Sequence, residues 1–149
     1  NWTVWSVDVS LGLTMRGEGP FDMGIREGVW TWTWVDAGTL ESEVLYIENL
    51  REGPWISYWP DGVVRIEGEF LAGVGEGLWH YYYQSGELLL EEHYWQGKRH
   101  GESTSYWENG QVKAQGTYSE EKKVGVWPTR DEDGNVEGTE EYDAWGNPK

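Results

Sequence analysis

The sequence predicts an all-β fold in which tandem antiparallel β-hairpins form one elongated, twisted meander sheet. Three observations predict it. Glycine opens successive segments at Gly28, Gly53, Gly77, Gly101 and Gly125, spaced by 25 and then 24 residues. Each segment has a turn dipeptide near its middle, flanked by residues that alternate in polarity. The 149 residues include 12 Trp, 9 Tyr and 21 Gly, and aromatic residues favour strands whereas Gly favours tight turns.

The repeat predicts a single domain of six segments, at approximately 1–27 (degenerate), 28–52, 53–76, 77–100, 101–124 and 125–149. If the opening Gly is position one, position three is Trp5, Trp30, Trp55, Trp79 and Trp127, with Ser103 in one copy. Position eighteen is aromatic in each full copy: Tyr46, Phe70, Tyr94, Tyr118 and Tyr142. We expect both columns to pack neighbouring repeats together, because a lone hairpin is only marginally stable in water.

The middle of each repeat carries the turn signal. Asp61-Gly62, Ser85-Gly86, Asn109-Gly110 and Asp133-Gly134 occupy equivalent positions. They predict two-residue type I′ turns, in which both central residues need positive φ. With Asn109-Gly110 as the turn, Trp107 opposes Val112 and Ser105 opposes Ala114.

Side chains of a strand alternate between its two faces, so the hairpins have two distinguishable surfaces. The tryptophan face carries the position-three Trp residues, and there Trp55 is expected to lie over Gly68. The tyrosine face carries Tyr58, Tyr82 and Tyr106, each 24 residues apart. On the tyrosine face we also place Arg65, Glu67, Glu69, Glu91, His93, Lys113 and Gln115.

This pattern resembles the MORN repeat, in the bacterial variant found in proteins with antitoxin or immunity names. The resemblance rests on Gly77-Leu78-Trp79-His80-Tyr81-Tyr82-Tyr83-Gln84-Ser85-Gly86, followed by Tyr94-Trp95-Gln96-Gly97. It covers roughly residues 28–146, with departures at Ser103 and Glu121. The resemblance implies a hairpin array that acts as an interaction scaffold, and it carries over no catalytic residue.

Composition limits the functional classes. The net charge of −16 argues against nucleic acid, whose recognition needs clustered Lys and Arg. The absence of Cys excludes disulfides and thiolate chemistry, and no apolar run is long enough to insert into a membrane. The chain begins with Asn1 rather than Met, so we expect a processed or partial chain, with export as one explanation.

No catalytic, cofactor-binding or metal-binding residue is predicted. His80 and His93 share a face, but a polar strand surface explains them better than a metal site does. Glu92 is the one candidate for a catalytic acid, because it falls on the tryptophan face where other copies have Gly68 or Gly116. A structural pairing with a neighbour is the favoured interpretation of Glu92.

The predicted function is a non-enzymatic scaffold that binds a protein partner or a further copy of itself, as a homo-oligomer or filament. The candidate contact residues are Tyr58, Tyr82, Tyr106, His93 and Glu91. One alternative is an acidic antitoxin- or immunity-type protein that neutralises a cationic toxin. A second alternative is carbohydrate binding on the ladder of Tyr and Trp rings.

Overall fold

The computed structural model describes residues 2–149, which form two compact units, the first ending at Val74 and the second spanning Gly75–Lys149. Within these residues all regular elements are β-strands, and none is a helix that could cross a membrane. Consecutive hairpins pair antiparallel in chain order in each unit, so the predicted all-β hairpin meander is confirmed. The repeat boundaries and the assignment of a single domain stay predictions.

The first unit contains eight strands. They are β1 (Trp2–Asp8), β2 (Leu13–Gly19), β3 (Phe21–Asp22), β4 (Ile25–Arg26), β5 (Gly28–Trp34), β6 (Leu40–Ile47), β7 (Leu50–Tyr58) and β8 (Val64–Leu71). β1, β2, β5, β6, β7 and β8 pair in that order, and β3 pairs only with β4. The short β3–β4 hairpin covers Trp30, since the Phe21 ring lies 5.0 Å from the Trp30 ring and Trp30 Nε1 donates to the Pro20 carbonyl at 3.0 Å.

The second unit is built from six strands that pair in chain order. They are β9 (Val74–Tyr82), β10 (Leu88–Trp95), β11 (Lys98–Tyr106), β12 (Val112–Ser119), β13 (Lys122–Arg130) and β14 (Val136–Tyr142). After β14 the chain turns back on itself, and Pro148 forms an isolated bridge with Tyr142. The Lys149 backbone N–H donates to the Glu141 carbonyl, so part of the free edge of β14 is covered.

Two-residue type I′ turns occur between the hairpins, not at their predicted places in the middle. Gln96-Gly97 has φ of +51° and +78°, and it joins the paired residues Trp95 and Lys98. The type I′ prediction for Asn109-Gly110 is wrong, because only Gly110 has positive φ. The Gly110 N–H donates to the Trp107 carbonyl at 2.9 Å, which closes a longer loop with a single left-handed Gly.

The longer loop comes with a β-bulge that the sequence interpretation missed. Ser105 pairs with Ala114 as predicted, but Val112 pairs with Tyr106 rather than Trp107, which leaves Lys113 as an extra residue. In a bulge, the side chain of the extra residue points to the same face of the sheet as the side chain of the residue that follows it. The Lys113 ammonium accordingly lies 4.0 Å above the Trp107 ring.

Arg65 is the equivalent extra residue in β8, since Val64 pairs with Tyr58 and Ile66 with Ser57. Its guanidinium lies 4.8 Å from the Trp59 ring. The placement of Arg65 and Lys113 on the tyrosine face is therefore wrong: both side chains lie on the tryptophan face.

The repeats pack by laying the Trp ring of one hairpin over the Gly of the hairpin before it. A Cβ atom added to Gly116 would lie 2.3 Å from the Trp127 ring, and one added to Gly19 would lie 2.4 Å from the Trp30 ring. No side chain fits in either place. Trp55 pairs with Gly68 in the predicted register, but these two residues belong to one hairpin, whereas the rings at Gly19 and Gly116 come from the next hairpin.

Position seven of the repeat forms a second link between hairpins, which the sequence interpretation did not single out. Its aromatic side chain donates a hydrogen bond to a backbone carbonyl in the next repeat, 23 or 24 residues ahead. These bonds are 2.9 Å long and join Trp34 to Tyr58, Tyr83 to Tyr106, and Trp107 to Arg130. The recurrence of Trp34, Trp59, Tyr83 and Trp107 at this position was the available signal.

Some carboxylates that contribute to the net charge have structural partners. The residue before each opening Gly is Glu27, Glu52 and Glu76 in three copies, and each accepts a hydrogen bond from a connecting-turn N–H at 2.8–2.9 Å. In the next copy His100 takes that place, and Glu121 in the turn instead pairs with the Arg99 side chain at 2.8 Å. Part of the negative charge of the chain thus comes from carboxylates that hold the connecting turns in place.

Candidate functional site

The candidate site is the tyrosine face, which each unit presents separately. Tyr82, Tyr106, Glu91 and His93 lie in the second unit and Tyr58 lies in the first. Their role in partner binding stays a prediction, and the geometry shows what each group offers.

In the second unit a carboxylate joins two of the strands. The Tyr106 hydroxyl donates to Glu91 Oε2 at 2.6 Å, and His80 Nε2 lies 3.3 Å from Glu91 Oε1. Burial and the hydrogen bond to Glu91 raise the pKa of the Tyr106 phenol to about 12. Glu91 pairs with His80 on one side and Thr104 on the other, which holds the cluster across β9, β10 and β11.

Tyr82 and His93 border this cluster. The Tyr82 ring lies 6.3 Å from the His80 imidazole in a tilted arrangement. His93 is exposed, and its Nδ1 lies 3.2 Å from the Glu102 carbonyl, to which it donates in the tautomer that carries the proton on Nδ1. The structure therefore brings Tyr106 and His80 to Glu91, with Tyr82 beside His80. His80 was not among the predicted contact residues.

In the first unit Tyr58 lines a shallow groove of about 200 Å³ with Leu40, Glu43, Pro54 and Ile56. Pro54 pairs with Glu69 and Ile56 with Glu67, so carboxylates alternate with apolar groups across the strands.

Apolar side chains extend this surface across the sheet of the first unit. Val29 and Leu45 pair directly between β5 and β6, and they are 54% and 38% exposed. Ile56 is 39% exposed on the neighbouring β7. Because Trp30 and Tyr46, the adjacent residues in each strand, are buried on the opposite face, Val29 and Leu45 belong to the tyrosine face.

The predicted packing columns on the tryptophan face are mostly inaccessible. Trp30, Trp79, Trp127, Tyr46 and Phe70 are buried, while Trp55, Tyr94, Tyr118 and Tyr142 are half-buried. Trp5 differs from the others because it is 64% exposed. Its neighbours in β1 lie on the tryptophan face, since Val4 packs against the Trp30 core and Ser6 lines a cavity with Trp32. Side chains alternate along a strand, so Trp5 lies on the opposite face and is outside the packing column in which the sequence placed it.

Glu92 has the structural pairing that the sequence favoured. It is buried, and it pairs directly with Ser103 on β11. The Tyr94 hydroxyl donates to Glu92 Oε2 at 3.0 Å, and Arg99 Nη1 lies 3.7 Å from Oε1. The Glu and the Ser replace a Gly and a Trp at the same place in the repeat, so the two departures form one compensated pair.

Residues 2–149 contain no group of three or more His, Asp or Glu side chains arranged to hold a metal ion.

Comparison with known families agrees with this architecture. The family model described as a MORN repeat variant matches residues 51–72, 75–96 and 99–120. Each matched segment spans one hairpin, namely β7–β8, β9–β10 and β11–β12. No curated protein matches the chain.

Proposed function

We propose that this chain, which carries three consecutive MORN repeats between residues 51 and 120, is a non-enzymatic scaffold whose tyrosine face binds a protein partner or a second copy. The observation that supports the proposal is a set of partly exposed apolar side chains on the tyrosine face of the first unit, here called the apolar row: the cross-strand pair Val29 and Leu45, and Ile56 in the groove beside Tyr58. Exposed apolar groups rimmed by charges are typical of protein interaction surfaces.

The chemistry of the surface defines the partner. Glu43 lies on β6 with Leu45, and Glu67 of β8 pairs with Ile56, so a partner with basic side chains around an apolar centre is complementary. Glu69, also on β8, pairs with Pro54 beside them. In the second unit Glu91 supplies a carboxylate between a phenol and an imidazole, which can accept a further hydrogen bond from a cation.

Self-association is the first form of the proposal to test. Sedimentation velocity over a wide concentration range should show reversible assembly of the wild-type chain. An Ile56→Glu variant should stay monomeric, because it adds a charge to the apolar row. Val9→Glu is the matched control, since Val9 is exposed in the β1–β2 turn, outside the tyrosine face.

A foreign partner is tested on an array of peptides that combine basic and aromatic residues. Binding that Ile56→Glu abolishes and Val9→Glu preserves supports the surface. A wild-type chain that is monomeric at all concentrations and retains none of these peptides contradicts the proposal.

A second candidate is an acidic antitoxin-type protein that covers a cationic toxin, favoured by the carboxylates around the apolar row. It predicts an association rate that falls steeply as salt rises, because exposed charges are screened beyond about 8–10 Å at physiological ionic strength. Glu67→Gln with Glu69→Gln should weaken binding and flatten its salt dependence. Binding to a basic partner that is insensitive to salt excludes this form of the function.

A further inference from the structure

A cavity of about 350 Å³ lies on the tryptophan face of the first unit. It forms because the sheet curls until the end of β1 meets β8, although four strands of the sheet lie between them. Asp8 and Arg65 close this contact, with Oδ2 and Nη1 2.6 Å apart, and Arg65 Nη2 also donates to Ser10 Oγ at 3.1 Å. Both charged side chains are more than four-fifths buried.

A bulge in β6 places a carboxylate inside this cavity. Leu40 pairs with Thr33 and Ser42 pairs with Trp32, so Glu41 is the extra residue and shares the tryptophan face with Ser42. Glu41 is only 8% exposed. Its Oε2 accepts a hydrogen bond from Ser42 Oγ at 2.6 Å. Burial raises the pKa of the Glu41 carboxyl, while Arg65 and Asp8 act on it with opposite signs.

A second polar group in the cavity has an unused hydrogen-bonding atom. Ser57 is 1% exposed and lines the cavity, and its Oγ has no hydrogen-bond partner anywhere in residues 2–149. A buried hydroxyl without a partner costs about 1–3 kcal/mol, so such groups call for an explanation. The aromatic rings of Trp32, Tyr46 and Trp55 line the same space.

We propose that this cavity binds a small organic cation that carries N–H donors, an alkylammonium or guanidinium group, with Glu41 and Ser57 as acceptors and the three aromatic rings as walls. A carboxylate can only accept hydrogen bonds, so it selects a donor. Aromatic faces attract cations through their negative quadrupole.

The arginines near the cavity do not neutralise Glu41. Arg65 already pairs with Asp8, and these two charges offset each other at the site. The Arg51 guanidinium lies over the Phe70 ring at 4.0 Å from its centroid. A bound cation therefore supplies the positive charge that balances the Glu41 carboxylate. An anion or a neutral sugar does not supply that charge.

The test measures the binding of n-butylammonium and of a small alkylguanidinium by ligand-detected NMR and calorimetry. Glu41→Gln should weaken binding by about tenfold to a hundredfold, and Ser57→Ala by about threefold to tenfold. Asp36→Asn is the matched control, because it also removes one carboxylate charge from the first unit, and Asp36 is exposed in the turn between β5 and β6, outside the cavity and the tyrosine-face groove. Far-UV circular dichroism verifies that each variant folds.

Wild-type protein supplies an independent measurement if Glu41→Gln unfolds. Protons of the bound cation should shift upfield, because they lie against the rings of Trp32 and Trp55. The proposal is overturned if neither cation binds at millimolar concentration, if Asp36→Asn weakens binding as much as Glu41→Gln, or if methyl glucoside or acetate binds in place of the cations. Because the cavity and the tyrosine face are on opposite sides of the sheet, these results do not depend on the scaffold function.

Discussion

Glu92 and Ser103 should behave as a coupled pair, so a double-mutant cycle with Glu92→Gly and Ser103→Trp tests the packing rule of the array. In a regular junction the ring of Trp127 covers Gly116 so closely that a Cβ there would lie 2.3 Å from the indole. Glu92 and Ser103 occupy the corresponding places and pair directly. The double variant restores the Gly–Trp combination that the neighbouring junction uses.

Each single change should destabilise the fold. Ser103→Trp places an indole against the buried Glu92 side chain, and overpacking of this kind costs about 1–3 kcal/mol. Glu92→Gly removes the acceptor of the Tyr94 hydroxyl at 3.0 Å, which costs about 1–3 kcal/mol. In the double variant the indole has room, and burying it contributes about 2–3 kcal/mol. We therefore expect a favourable coupling energy of about 2–3 kcal/mol.

Urea unfolding measures the free energy of unfolding of the wild type, the two single variants and the double variant. Far-UV circular dichroism is the signal of choice, because the new Trp would change the fluorescence directly. Gly116→Glu and Trp127→Ser form the matched control cycle at the regular junction. There each single change should destabilise, and the double variant should lose less than the sum. Additive effects at positions 92 and 103, within about 0.5 kcal/mol, refute the idea that these residues compensate each other.

Three further predictions concern turns and titration. Gln96→Asn should stabilise the fold by about 0.5–1 kcal/mol in urea unfolding, because Asn tolerates the positive φ at this turn, whereas Ser85→Asn should give no gain because Ser85 has negative φ. Burial opposes ionisation of Asp8, but hydrogen bonds and the Arg65 charge lower its pKa from 3.8 to about 2. Asp8→Asn should thus lower the free energy of unfolding by about 1–2 kcal/mol at neutral pH. This difference in stability from the wild type should vanish as the pH falls from 4 to 2. A difference that stays constant over this range contradicts the prediction. Since the pKa of Tyr106 is raised to about 12, its phenol should stay protonated at pH 11 in an ultraviolet titration. Glu91→Gln should lower that pKa, because it removes the carboxylate that accepts the hydrogen bond from the phenol. Ionisation of Tyr106 near pH 10 in the wild type contradicts the hydrogen bond to Glu91.

The sequence predicted the hairpins because the repeat places a large ring and a Gly at fixed positions. Trp30, Trp79 and Trp127 are buried as expected, and Ser103 pairs with Gly116 in the expected register. Local turn chemistry was misleading for a physical reason. Asn109-Gly110 favours a type I′ turn in isolation, but only Gly110 adopts positive φ in the fold, where the loop is followed by a bulge.

The candidate site was harder to predict because it depends on contacts between repeats. Glu91 and Tyr106 were placed on one face by alternation, but the position of His80 beside Glu91 depends on cross-strand register. The cavity was not foreseen at all. A bulge turns Glu41 inward, and the curl of the sheet brings Asp8 to Arg65 across 57 residues of sequence. Neither feature can be predicted from the alternation of side chains between the two faces of a strand.

The bulge explains how a regular array can carry irregular chemistry. It recurs at one position in each of five hairpins, which is occupied by Glu41, Arg65, Leu89, Lys113 and Glu137. An extra residue is not needed to keep the Gly–Trp contact between hairpins, so its identity can change while the packing is preserved. Because its side chain turns toward the tryptophan face, each such change alters the chemistry of that face. In the first unit the bulge residues Glu41 and Arg65 both line the cavity, so one position of the repeat supplies the carboxylate of the proposed cation site and the arginine that pairs with Asp8 at its border.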